Sequence, residues 1–148
     1  MIAIPNEDAE SWLSTLKTYQ SSSVRNFLEN GDEEKALELW LTASGPSSVA
    51  QFGGDNSKMP GRKAFVEQFK LEFKAFVCGG DKYAEEREWL GALTGDVKTY
   101  FVGVISSAIA GSLGVTATFI APAVVIMLIA VSKMGINAWC SLETTTES

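Results

Sequence analysis

Histidine is absent from this chain of 148 residues. With it go the commonest general base, the usual nucleophile–histidine arrangements and most zinc sites. The groups left that could do chemistry are carboxylates, two thiols and a glycine-rich loop. Glu33 and Glu34, and Glu85, Glu86 and Glu88, lie close together in sequence. They fall in first helical turns or on polar helix faces, where solvated surface is the expected role. Cys78 and Cys140 form no CxxC pair. Small secreted folds use more cysteine than this, so both read as reduced thiols of an intracellular protein. Cys78, between Phe76–Val77 and Gly79–Gly80, reads as a packing thiol with no histidine to activate it. Cys140 beside Trp139 would be open to palmitoylation at a membrane surface. The segment GGDNSK at 53–58 lacks the strand and helix of a phosphate-binding loop. No enzymatic activity, cofactor or metal is expected.

The residues whose spacing does carry information are small ones. Gly103, Ser107 and Gly111 recur every fourth position, and so do Ser106, Ala110, Gly114 and Thr118 one ridge over. Small residues at this spacing let helices approach closely, and inside membranes they mark association faces. Val102, Ile105, Ile109 and Leu113 supply the opposite face.

These ridges sit in a longer stretch, Thr99 to Ser132, with no charged side chain across 34 positions and with Lys98 and Lys133 at its borders. A helix that is apolar on all sides is either deeply buried or in a membrane. As one straight helix the stretch would be about 51 Å long, against a bilayer core of about 30 Å. Two geometries fit: a helical hairpin, or one span near Val115 to Ser132 preceded by a second apolar helix. Gly111–Ser112 with Gly114 is one candidate break and Ala121–Pro122 the other. Serine and threonine around Gly111 to Thr116 favour the first, since backbone groups in lipid must stay paired. Tyr100 and Trp139 lie near the ends, where interfacial aromatics are enriched.

The rest of the chain has another character. Residues 1–98 hold eleven of the twelve basic and sixteen of the eighteen acidic residues, which leaves that part at −5 and the whole chain at −6. With no basic stripe, nucleic acid is not an expected partner. No strand is expected before residue 99. Asn6 and the acidic Glu7, Asp8 and Glu10 open a helix to Tyr19, broken by Ser21–Ser23. Val24 to Glu29 adds one or two turns. Asp32 caps a helix to Ala43, with Leu37, Trp40 and Leu41 on its inner face. Residues 45–61 form a long loop. Pro60 or Gly61 opens a helix to Val77, striped by Phe65, Phe69, Phe73 and Phe76. That stripe suits a core, or alternatively a docking groove for a partner helix. Asp81 caps a further helix, Lys82 to Leu93.

The expected fold is therefore all-α. An acidic head of four or five helices covers 1–96, an apolar hairpin or membrane segment covers 97–140, and a tail covers 141–148. The N-terminus has no secretory pattern, Ile2 excludes myristoylation, and TTTES is no prenylation box. The head is expected in the cytoplasm. In outline the layout resembles the hydrophobic hairpin of colicin-type toxins and small holin-like proteins, without a shared motif. That resemblance implies insertion, and pore-forming toxins keep such a hairpin inside a soluble shell until they meet a membrane. The expected function is membrane insertion with self-association, as a perturbing effector or an anchored sensor. A protein partner for the head is a further expectation. The alternative is a soluble, non-catalytic subunit that buries the hairpin as an obligate protein interface.

Overall fold

The structure, a computed structural model, describes residues 8–29, 32–43, 59–79, 82–92, 98–136 and 138–141. Among the described residues it is all-helical. The helices are α1 (Ala9–Leu13), α2 (Thr18–Glu29), α3 (Glu33–Ala43), α4 (Met59–Cys78), α5 (Ala84–Gly91), α6 (Lys98–Leu113) and α7 (Ala117–Met134). A last helical turn occupies 138–141.

The first helix is shorter than its apolar edge suggests. Asp8 caps α1, accepting from the Ser11 N–H at 2.8 Å. The helix then stops at Leu13, not at the serine triplet. Ser14 and Thr15 turn their hydroxyls back onto the carbonyls of Ser11 and Trp12, at 2.6 and 2.7 Å, which offers the backbone an alternative to the helical ladder. Gln20 reaches back to the Lys17 N–H at 3.3 Å and starts α2 in capping-box fashion. Ser21 to Ser23 then lie inside α2, where Ser21 Oγ donates to Thr18 O. Asp32 caps α3 as expected, accepting from Lys35 N–H at 2.9 Å. The caps expected at Asn6 and Asp81, most of the 45–61 loop, and the tail beyond 141 lie outside the described residues; positions 59–61 belong to α4.

Between α6 and α7 the chain turns at 114–116. Gly114 sits at φ +75°, a left-handed conformation that closes α6. The N–H groups of Gly114 and Val115 both donate to Ala110 O, at 2.8 and 3.1 Å. Thr116 then caps α7, its Oγ1 accepting from Phe119 N–H at 3.3 Å. The hairpin break is thus at Gly114. Pro122, the second candidate, lies inside α7.

Helix α7 is the centre of the molecule. It packs on α6 along its length, on α3, and on α1 and α2; α4 bridges α3 and α6, and α5 covers α6. Every residue from Pro122 to Ile129 is buried, so all faces of that stretch are covered. One continuous apolar core draws on every helix, including Trp12, Val24, Leu37, Phe69, Leu90, Ile105 and Ile126. The described helices before residue 98 therefore pack directly on the apolar pair α6 and α7. The Phe65, Phe69, Phe73 and Phe76 stripe is at most 3% exposed. Among the described residues it is core, its four rings covered by the chain's own helices.

Candidate functional site: the apolar helix, its polar fastenings and the open face of α6

A buried apolar helix needs no polar partners except where its own backbone is interrupted. Pro122 makes such an interruption. It has no N–H to give the carbonyl four residues back, and its ring crowds that carbonyl. The carbonyl is that of Thr118, and Gln20 of α2 donates to it through Nε2 at 2.9 Å. Gln20 is 3% exposed, so this bond gives its buried Nε2 donor a partner. One residue on, Trp40 Nε1 of α3 donates to Phe119 O at 2.8 Å, and its ring stacks on Phe119. At the other end of α7, Trp12 Nε1 of α1 donates to Ser132 Oγ at 3.1 Å, and Lys133 pairs with Glu33. Each shell helix from α1 to α3 is thus fastened to α7 by one side-chain donor, and α3 also by an ion pair.

The Gln20 bond gives a direct expectation. Gln20→Leu strands the Thr118 carbonyl and costs about 1–3 kcal/mol. In a Pro122→Ala background the restored N–H can serve that carbonyl, and the cost of Gln20→Leu falls. A double-mutant cycle by urea denaturation reads a coupling of about 0.5–3 kcal/mol. Equal costs in both backgrounds would show that proline is not why Gln20 is there.

A second fastening holds the tip of the hairpin. Glu72 of α4 is 7% exposed. It accepts from Lys82 Nζ (2.7 Å to Oε1), from Gln68 Nε2 at 3.2 Å, and from the Tyr83 hydroxyl. Tyr83 stands at φ +66°, ahead of α5, and its hydroxyl also meets Ser112 Oγ at 2.6 Å. The phenol's one hydrogen goes to the carboxylate, so Ser112 donates to Tyr83. Burial alone would raise the Glu72 carboxyl, but the hydrogen bonds from Lys82 and Tyr83 outweigh it and hold the group below its usual range. The Tyr83 phenol is pushed up to about 12 by burial and by its bond to Glu72.

A carboxyl lowered on folding stabilises the fold above its unfolded value of about 4.3. That stability is lost as pH falls through the lower folded value. Glu72→Gln should accordingly cost about 1–3 kcal/mol at neutral pH. The difference from the parent should shrink as pH falls from the unfolded value through the lower folded one, because the parent then loses the same charge. Chemical denaturation across that range checks it; a difference independent of pH would mean that the charge does not matter.

Cys78, at the end of α4, and Cys140, in the last helical turn, are joined in a disulfide, with Cα atoms 5.7 Å apart. This corrects the expectation of two reduced thiols, and it leaves Cys140 no free thiol to be palmitoylated. Sequence separation of 62 residues hid the pair; the α6–α7 turn brings the chain back past the end of α4.

The small-residue ridges divide. Gly103, Ser107 and Gly111 lie on the exposed face of α6, with Tyr100 beside them at 61% exposure. A Cβ added at Gly103 or Gly111 would meet nothing within 4 Å. Between this face and α5 lies a shallow groove of about 540 Å³, lined by Glu86, Thr99, Tyr100, Gly103, Val104 and Ser107. The second ridge does not run as one face. Ser106 and Ala110 point inward, the Ser106 hydroxyl being buried without a partner. Gly114 is in the turn, and Thr118 stands exposed on the next helix. On the opposite face Val102, Ile105 and Ile109 are buried and Leu113 is half-buried.

By length and composition, α7 is the one described helix long and apolar enough to cross a membrane. Among the described residues no three acidic or cysteine side chains come together as a metal cluster. Comparison of the chain with family models, curated proteins and solved structures returns no match.

Proposed function

We propose that this is a non-enzymatic helical protein that stores the α6–α7 hairpin in a shell of amphipathic helices and delivers it to a membrane, where copies associate through the outer face of α6. The observation that carries the reading is the contrast between the two limbs. Helix α7 has the length and composition of a span yet is held inside by a handful of discrete polar fastenings. Helix α6, equally free of charge along its uncharged run 99–113, leaves its small-residue face open. On release, the shell helices form the head and the hairpin becomes the lipid-facing unit. The lipid bilayer and a second copy are the partners. A further protein partner for the head fits the same scheme, and the net charge of −6 leaves nucleic acid outside it.

The disulfide alters where this takes place. A bond of this kind persists in oxidising surroundings and is rare in the cytosol. We therefore place the head on an oxidising side of the membrane, in place of the cytoplasmic side expected from the sequence.

The test is flotation of the full chain with phosphatidylcholine vesicles at neutral pH and at acid pH below the usual carboxylate range, where Glu72 loses its charge, followed by an alkaline carbonate wash. Retention after the wash supports insertion. A chain that stays soluble and runs as a large assembly supports the alternative, a non-catalytic subunit. That alternative draws on the open face of α6, since α7 is already covered by its own chain. A soluble monomer under all conditions would leave α7 as an ordinary core helix and end the membrane reading.

Self-association has its own test. Gly103→Leu and Gly111→Leu fill the outer face without touching the core and should favour the helix by about 0.5–0.8 kcal/mol each. The head stays folded by circular dichroism, while crosslinked oligomers in vesicles diminish. An unchanged oligomer distribution would remove this face from the association.

A further inference from the structure

The disulfide joins two points on either side of the hairpin, and that constrains how the hairpin can meet lipid. Residues 78 to 140 form a closed loop whose ends lie 5.7 Å apart at Cα. A bilayer core is about 30 Å thick, so Cys78 and Cys140 must lie on the same side. A loop with both ends on one side crosses an even number of times. Within it, α5 carries Glu85, Glu86, Arg87 and Glu88 in succession and cannot cross. The uncharged runs 99–113 and 117–132 are the two limbs left. At 1.5 Å per residue, α6 and α7 are about 24 and 27 Å long, close to a slightly thinned bilayer.

We infer that the closed disulfide forbids α7 from crossing alone and makes α6 its obligatory return limb, so that the pair enters a lipid bilayer as a hairpin with Lys98 and Lys133 both on the side of approach. The inference rests on the membrane reading above and decides between the two geometries that the uncharged stretch allows. The turn at 114–116 then lies at the far interface, where Gly114, Thr116 and their backbone groups meet water. Cys78 stays with α4, whose Glu67, Lys70, Glu72 and Lys74 keep that end of the loop out of lipid.

The experiment uses the full chain with its disulfide intact, verified by the mass of the non-reduced peptide, bound to phosphatidylcholine vesicles. After flotation and carbonate wash, a membrane-impermeant amine reagent is added outside, with and without detergent. Peptide mass mapping then reads Lys98 and Lys133. The expected result is equal labelling of both lysines, unchanged by detergent, in protein that resists the wash. Labelling of Lys98 with Lys133 protected until detergent is added would overturn the inference while leaving insertion itself intact. Full release by carbonate would also overturn it, because the hairpin then lies on the surface. No flotation at all would overturn the membrane reading and this inference together.

Discussion

Reducing the Cys78–Cys140 disulfide should lower the stability of the fold by about 4 kcal/mol, as expected for a closed loop of this size. The mechanism lies mostly in the unfolded chain. Sixty-two residues that were tied end to end regain their freedom, while the native helices keep their contacts. Urea denaturation with and without dithiothreitol measures the effect, and Cys78→Ser with Cys140→Ser reproduces it without reductant. A loss under about 1 kcal/mol would mean that the unfolded chain already keeps these ends together. Total stability of a domain this size is about 5–15 kcal/mol, so reduction alone removes about a quarter of it or more. In flotation assays the reduced protein should then bind vesicles more readily than the oxidised one.

Phe73→Ala should cost about 3–5 kcal/mol. Phe73 is fully buried at the middle of the phenylalanine stripe. Its ring meets Trp139 edge-on with centroids 5.5 Å apart and stacks on Phe69 at 6.2 Å. Removing it opens a cavity between α4 and the segment that carries Cys140. The two changes are coupled for that reason. The disulfide holds Trp139 against Phe73 in the parent, so the Phe73→Ala cost measured in reduced protein should differ from that in oxidised protein by about 0.5–3 kcal/mol. Strict additivity would show that Trp139 is positioned by something other than its neighbour's bond.

These two results bear on how the hairpin is stored. The amphipathic patterns of α3 and α4 were legible because burial on one face is a local demand: Leu37, Trp40 and Leu41, and the four phenylalanines, recur at helical spacing whatever they pack against. The break at Gly114 was legible for a similar reason, since a left-handed residue at a helix end favours glycine. The end of α1 was not. Ser14 and Thr15 compete with the serine triplet for the role of breaker, and local chemistry alone ranks them equally. Gln20 was also invisible as a functional residue. Pro122 announces that the Thr118 carbonyl needs a donor, but which side chain supplies it depends on how α2 is laid across α7.

The sequence by itself determined an all-α chain, an uncharged stretch whose favoured break lay around Gly111 to Thr116, and a stripe of phenylalanines on one helix face. Tertiary structure alone decided what covers what. It set α7 at the centre and turned Gly103, Ser107 and Gly111 outward while Ser106 and Ala110 face in. It brought Cys78 to Cys140 and Glu72 to Tyr83 and Lys82. The physical reason is that periodicity fixes which residues share a face, whereas the partner of each face is chosen by long-range packing, in which many small contacts are summed over elements far apart in the chain.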